Sequence, residues 1–538
     1  MKKRNLTLKW IYSNLKKYIG QIILISFCDI ILSLSLIYLA QISSKIIDSG
    51  ENIYKKAIII AIILVFQIII QFFASVTTVK TTGNITIKLR QKIFSDLCNK
   101  DYSEVEKYHS GDYLNKMTND VGQVAKGAVE LIPEICTVLT KIIAGLYAVV
   151  KQNYSLALII LAVGFIIPML GRIFSKKYKY LHKEVVKTEG ESRSFFQECI
   201  ENIIVIKSFS AKTSVSDRAD ELMKNNLGLR VKQRIFSSII SLSLFLSFSL
   251  GYYSVIIWAV ISGVSYGTLY YLLQIITILR SPLQNVSGII PKFYSMTASA
   301  ERIMEISNFK NETYSYSEQI TDDFEMLECK NLSFSYNDKP ILKNCSFSIS
   351  KNTVTLLKGE SGCGKTTLFK ILLGLYHPKD GSIKINSKYD VISFKKLFSY
   401  VPQGNMIISG SIKDNITFMN NSVPDEKIFE ALKIAEIYNY ISSLPNGIET
   451  VLKERGRGLS EGQVQRLAIA RALIFDAPIL LLDESTSALD KETEQKILEN
   501  IKNKTDKTVL FITHRKTETI KPDKILLFEN GTISERND

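Results

Sequence analysis

The chain has 538 residues, 46% of them hydrophobic, and a formal net charge of +15. Its basic residues lie in blocks beside long apolar runs, the placement expected of a protein that faces an anionic leaflet, so the charge is not read as nucleic-acid binding. Seven scattered cysteines without a CxxC pair give neither a disulfide framework nor a zinc spacing.

The N-terminal stretch Lys2–Lys17 is basic and amphipathic. Leu8, Ile11 and Leu15 share one helical face beside Trp10, which predicts an interfacial helix. It is no cleavable signal peptide, because the apolar run behind it is too long and no small-residue site follows. With the membrane reached so early, no peptidase domain is expected ahead of it. Six apolar stretches follow: Tyr18–Gln41, Ala57–Ser75, Leu131–Val150, Leu156–Gly171, Phe236–Ile261 and Thr268–Leu279. Most approach the ~20 residues that cross a bilayer, and the fourth is short. They are too uniformly apolar for the amphipathic helices of a soluble core.

Basic residues crowd the N-terminus (Lys2, Lys3, Arg4) and the long segment after the fourth span (Arg172, Lys176, Lys177), while the links after spans one, three and five are short and hold few basic residues (Lys45 after the first, Lys151 after the third, none between Ser262 and Gly267). The positive-inside rule then puts both termini and both long loops, Val79–Glu130 and Arg172–Ile235, in the cytosol. These loops read as helices continuing out of the membrane, with turns near Ser110–Gly111 and Ser208–Ala211. A few ionisable or amide groups fall inside the spans. Asp29 and Lys141 sit at a depth of ~15 Å, near mid-bilayer, where they either pair or face a cavity. Gln67 and Gln71 share a face of span two, and Gln274 lies with Tyr270 on span six. They either hydrogen-bond between helices or line a cavity.

Composition turns polar after Ile306, and residues 307–323 read as a linker. Strands and helices alternate from Phe324 to the end, the pattern of an α/β domain. Within it, Gly359-Glu360-Ser361-Gly362-Cys363-Gly364-Lys365-Thr366 lies between a strand-type run, Thr353–Leu357, and a helix-type run, Thr367–Leu373. The glycines let backbone N–H groups turn inward at a helix N-terminus, which stabilises an anion. Lys365 is expected on the outer phosphates of a nucleoside triphosphate and the Thr366 hydroxyl on Mg²⁺. Leu459-Ser460-Glu461-Gly462-Gln463 precedes another helix-type run, Val464–Phe475. Ile479–Glu484 is an apolar strand ending in two carboxylates: Asp483 for the Mg²⁺ shell and Glu484 for the attacking water.

With these motifs in place, nearly the whole chain resembles an ATP-binding cassette (ABC) exporter of the half-transporter kind. The fold implied is a six-helix transmembrane domain followed by an α/β P-loop domain. The resemblance implies ATP and Mg²⁺, and ATP-driven alternation between inward- and outward-facing states. In such proteins the pentapeptide Leu459–Gln463 closes over the ATP of the opposite subunit, and here Glu461 stands where Gly is usual. Tyr336 matches the aromatic that stacks on adenine, in a site completed by Thr367. Gln403 matches the glutamine that reaches Mg²⁺ and the water, and His514 the histidine that holds the γ-phosphate. Ser487-Ala488-Leu489-Asp490 matches the loop crossing the dimer interface. Thr450–Gly456 resembles the segment before the signature, with Glu454 kept and Lys453 in place of Gly. Coupling to the membrane would run through the turns near His109–Asp112 and Lys207–Ala211. Intact Glu484 and His514 favour a homodimer, with a heterodimer still open. The expected cargo is a small peptide or amphipathic compound, with a multidrug or lipid exporter as the alternative and a non-transport membrane ATPase a weaker one. A composition rich in Ile, Lys and Asn suggests a bacterial plasma membrane.

Overall fold

The computed structural model describes residues 2–50, 52–152, 154, 177, 180–181, 183–185, 187–312, 323–337, 339–390, 397–404, 407–420, 422–453, 456, 458–475, 477–513 and 522–536. They form two compact units. One comprises Met1–Asp96 with Ser110–Asn308, and the other Leu97–His109 with Phe309–Asp538.

The first unit is helical. Its long elements are Ile19–Ser49, Ile53–Cys98, Val121–Gln152, Lys212–Ile261 and Tyr266–Ser307. Among the described residues, three helical stretches are long and apolar enough to cross a membrane (Asn5–Ser49, Ile53–Cys98 and Ser110–Gln152), and Phe248–Ile261 is a shorter apolar one. Predicted spans one, two and three fall in the former, five ends in the latter, and six lies at the start of Tyr266–Ser307. The fourth, Leu156–Gly171, lies outside the described residues. At 1.5 Å per residue, helix Ile53–Cys98 runs about 69 Å, more than twice a bilayer core, so its polar half continues beyond the membrane.

Helix Val121–Gln152 is the hub, packing on both Ile19–Ser49 and Tyr266–Ser307. Small residues permit the close approach: a methyl at Gly145 would lie 2.7 Å from the Leu279 side chain. Toward the polar end, charge joins the same elements. Buried Asp120 accepts hydrogen bonds from Arg302, at 2.8 Å to Nε, and from Ser299 Oγ at 2.9 Å. Lys116 meets Glu305 at 3.0 Å, and Lys292 bridges Glu130 at 2.8 Å and Glu134 at 2.5 Å. The helix Lys2–Leu15 buries Ile11 and Leu15 as expected but leaves Leu8 exposed, and Thr7 takes the inward place, donating to Glu301.

The second unit is built on a mixed six-stranded sheet of order β12-β11-β3-β10-β9-β6. Its strands are β3 (Val354–Gly359), β6 (Phe398–Val401), β9 (Ile479–Asp483), β10 (Thr508–Ile512), β11 (Lys524–Glu529) and β12 (Thr532–Arg536), and only β12 runs antiparallel to its neighbour. β9 and β10 are buried at every position, the mark of a parallel sheet covered on both faces. A four-stranded antiparallel sheet, order β2-β1-β4-β5, adds β1 (Met326–Tyr336), β2 (Lys339–Ser350), β4 (Asp380–Ile385) and β5 (Tyr389–Asp390), and the short strands β7 (Gly410–Ser411) and β8 (Val451–Leu452) pair with each other.

The connection after the second span differs from expectation. The turn after the second span is broader than Ser110–Gly111, and Gly111 and Asp112 already lie in helix Ser110–Asn115. The excursion is 97–109, with a short helix at Tyr102–Val105 whose N-terminus Asp101 caps by accepting from Ser103 N at 2.9 Å. The turn at Phe209–Ala211, between helices Ile203–Ser208 and Lys212–Ile261, falls where the sequence placed it.

Candidate nucleotide site

The parallel strands end together. In register, Phe528 of β11 lies beside Gly359 of β3, Asp483 of β9 beside Ile512 of β10, and Val401 of β6 beside Leu482. Ligands in open α/β sheets bind at this carboxyl edge, so the strands deliver their last residues to one place.

The glycine loop follows β3 and opens a helix at Lys365–Leu372, two residues earlier than the sequence suggests. Gly364 has φ +120°, and a methyl there would lie 2.5 Å from Ile341, so both conformation and space require glycine. Gly359 is hemmed in by the Phe528 carbonyl at 2.6 Å from any added Cβ, while Gly362 takes φ +78°. Glu360 and Ser361 form the exposed bend, and half-buried Cys363 has its Sγ 3.9 Å from Lys365 Nζ. Lys365 donates to the carbonyls of Gly359 at 2.9 Å and Glu360 at 2.7 Å, which folds its ammonium over the loop.

The loop meets the carboxylate strand. Thr366 Oγ1 donates to Asp483 Oδ1 at 3.3 Å, and Tyr400 OH to Oδ2 at 3.2 Å. Asp483 is fully buried. Burial pushes its carboxyl upward, while the hydroxyls of Thr366 and Tyr400 pull it back. Burial and then the Asp483 charge push the Tyr400 phenol well above its ordinary value, so it stays a donor. Glu484 takes φ +49°, a left-handed conformation unusual for glutamate. Its Oε2 accepts from Gln403 Nε2 at 2.6 Å. Tyr336, at the end of β1, is partly exposed, and its hydroxyl lies 3.5 Å from Thr367 Oγ1. The oxygens of Thr366, Asp483 and Gln403 are hard donors and few, a set that suits Mg²⁺ when phosphates supply its remaining ligands.

A second cluster holds the pentapeptide. Ser460 caps helix Glu461–Ile474 in a reciprocal box with Gln463, at 3.3 Å and 2.8 Å. Glu461 is exposed at the first turn, where the helix dipole favours a carboxylate. Gly462 packs against the loop Ser487–Asp490: a methyl there would lie 3.1 Å from the Ala488 carbonyl. Gln465 ties the two, donating to Ser487 Oγ at 3.2 Å and accepting from Ala488 N at 3.0 Å. Leu489 is buried and Asp490 caps the next helix, Lys491–Lys504. Among the described residues, Leu459–Gln463 make no hydrogen bond to the glycine loop. His514 and Glu454 lie outside the described residues.

Sequence reasoning passed over Tyr400 and Gln465. Both sit beside recognised motifs, but only the sheet register and the helix rotation turn them inward.

In the helical unit, Gln67 Nε2 donates to Ser35 Oγ at 2.7 Å, an interhelical hydrogen bond. Asp29 and Lys141, both half-buried, feel one another's charge but do not come within 4.0 Å. Gln274 is half-buried and Gln71 exposed, and neither makes a side-chain hydrogen bond among the described residues.

A glycine loop of the kind that can cradle an anion, a buried carboxylate beside it and a second carboxylate at the sheet edge define a P-loop nucleotide hydrolase fused to a helical membrane region. Residues 18–283 match the family described as ABC transporter transmembrane region, and residues 342–487 the family described as ABC transporter. The chain is 30% identical to a putative export ATP-binding/permease protein of Rickettsia typhi, covering 96% of this chain and 93% of that protein. It is 28% identical to an ATP-dependent lipid A-core flippase of Mannheimia succiniciproducens, over 93% and 88%. Its fold matches the structure of a bacterial Atm1-family ABC exporter with ATP bound, at TM-score 0.77 and 21% identity, over 97% and 95% of the two chains. The chain belongs to the ABC exporters: it is an ATP-hydrolysing membrane transporter with both domains in one polypeptide.

Proposed function

We propose that this exporter moves a small peptide or amphipathic compound out of a bacterial cell by alternating access, powered by two equivalent ATP sites in a homodimer. Cytosolic termini follow from the basic flanks of the spans. The hydrogen bond from Gln403 to Glu484, at the edge where Thr366 meets Asp483, carries the hydrolytic half of this reading.

Lys365 would neutralise the outer phosphates of ATP, and the loop amides would hold them. Thr366, Asp483 and Gln403 would hold Mg²⁺, which when bound offsets charge on the phosphate oxygens. Glu484 would orient the attacking water and take its proton, with Gln403 fixing the carboxylate's direction. Tyr336 would stack on the base. His514 would reach the γ-phosphate, while Ser460 and Gly462 would close on the nucleotide of the second subunit. Ser487–Asp490 would transmit that closure, since Gln465 binds this loop to the signature helix.

For cargo, Asp29, Lys141 and Gln274 are half-buried polar groups in an apolar bundle, a lining suited to a molecule with both characters. Gln67 is committed to Ser35 and drops out of that lining. The flippase relatives favour a second reading, an amphipathic lipid. Inside-out vesicles separate the two. ATP-dependent uptake of a labelled amphipathic peptide, absent in Glu484→Gln, supports the first reading. Loss of a fluorescent lipid from the outer leaflet, without peptide uptake, supports the second. ATP hydrolysis that neither cargo class stimulates overturns both.

A further inference from the structure

Residues 97–109 belong to the nucleotide unit although the chain joins them to helices at both ends. Several side-chain contacts hold them beside the glycine-loop helix. Glu106 accepts from Lys370 Nζ at 2.8 Å and from the hydroxyl of Tyr376. His377 approaches Asp101 at 3.5 Å. From Glu106 a chain of rings leads to the base site. Tyr102 meets Tyr376 edge to face at 5.9 Å, and Tyr376 meets Tyr336 at 5.3 Å with planes at 90°. Tyr376 is only 8% exposed and is held both by packing on Phe334 at 5.3 Å and by its hydroxyl partner, whereas Tyr336 keeps an open face.

A ring that stacks on a base must hold its plane before the base arrives, and the edge-to-face contacts with Phe334, at 5.0 Å, and with Tyr376 set that plane together. The orientation of Tyr376 depends in part on the carboxylate that receives its hydroxyl. We propose that Glu106 and Tyr376 are positioning residues for Tyr336, so that base binding and the docking of residues 99–108 form one linked equilibrium. The proposal rests on the reading of Tyr336 as the base-stacking residue. By linkage, a base that orders Tyr336 must favour the docked segment as much as the segment favours the base.

The test uses the full-length protein in lipid nanodiscs, titrated calorimetrically with ATP or inorganic tripolyphosphate, without added metal to prevent turnover. Tyr376→Phe keeps the ring and cuts the link; Glu106→Ala cuts it from the other side. Each should weaken ATP about three- to tenfold, the size of one lost hydrogen bond, and leave tripolyphosphate unchanged. In a Tyr336→Ala background, Glu106→Ala should add nothing further to the ATP loss. Amide exchange over residues 99–108 should slow with ATP but not with tripolyphosphate, and Tyr376→Phe should abolish the difference. Equal weakening of both ligands, or a Glu106→Ala penalty that persists in full without Tyr336, would reduce the contact to a structural anchor and overturn the proposal. If Tyr336→Ala alone leaves the preference for ATP over tripolyphosphate intact, the base-stacking reading fails first, and the proposal with it.

Discussion

The two units place their polar groups by different rules. In the nucleotide unit the reactive side chains stand at the ends of parallel strands, where register fixes which residues meet: Asp483 lies beside Ile512, and Val401 beside Leu482. In the helical unit the charged pairs join helices far apart in sequence, Glu130 with Lys292 and Asp120 with Arg302, and rotation of each helix decides the meeting. Strand pairing counts in single residues and alternates faces, so a motif is delivered or lost as a whole. Helices turn gradually, so a polar group can be partly satisfied, as Asp29 and Lys141 are. One unit tolerates little change at its edge, and the other distributes its charge over several adjustable contacts.

The strongest test of the sheet edge is Glu484→Gln. Turnover should fall by about 10²-fold or more, because the amide cannot take the proton, while ATP binding stays near wild type. Wild-type hydrolysis in this variant would mean that the edge delivers its base from elsewhere. Close behind comes Cys363, in the loop beside Lys365. A maleimide should stop hydrolysis, ATP should slow the labelling, and Cys363→Ala should remain active under the reagent. Inactivation of that variant would shift the sensitive thiol away from the loop.

Two changes probe the helical rule through stability. Arg302→Ala leaves the buried Asp120 carboxylate, among the described residues, with the Ser299 hydroxyl as its side-chain donor. Breaking a buried pair costs roughly 3–5 kcal/mol, and here the guanidinium is half exposed, so a loss of about 2 kcal/mol is expected in thermal unfolding. An unchanged melting temperature would show that these pairs do not hold the helices. Asp29→Asn and Lys141→Met should couple more weakly, by about 1 kcal/mol or less in a double-mutant cycle, since the charges interact without contact. A larger coupling energy would put the two side chains in direct contact.

The smallest effect concerns pH. Burial tends to raise the Glu106 carboxyl, but the hydrogen bonds from Lys370 and Tyr376 hold it below its ordinary 4.5. A depressed carboxylate contributes stability above its unfolded value and loses it as pH falls through the folded value. Docking of residues 99–108 should therefore loosen only below about pH 4.5, seen as faster amide exchange, and Glu106→Gln should flatten the profile. A loosening near neutral pH would point to another group.

How much was legible follows from the same contrast. The glycine loop could be read because phosphate binding needs consecutive amides, and Gly364 can be nothing else where φ is +120° and Ile341 crowds it. Asp483 and Glu484 could be read because a buried strand announces its own end. Tyr400 on Asp483 could not, since it depends on a neighbouring strand's register. The ion pairs Asp120–Arg302 and Glu130–Lys292 could not, because periodicity gives a helix its face but not the partner across from it. The excursion at 97–109 was placed a few residues late: Ser110–Gly111 looks like a turn, whereas the cap at Asp101 is what starts the short helix.

That excursion also sets a schedule. Glu106 and Lys370 lie 264 residues apart, so at ~5–20 residues per second the ribosome delivers the acid tens of seconds before its partner exists. Through that interval Tyr102 and Glu106 wait without their partners, while the helices on either side are already made. The nucleotide unit therefore completes this patch only with a segment from the N-terminal half of the chain. A fragment beginning at Phe309 would expose Tyr376 and Lys370 and should recover more of its stability when a peptide of residues 97–109 is supplied.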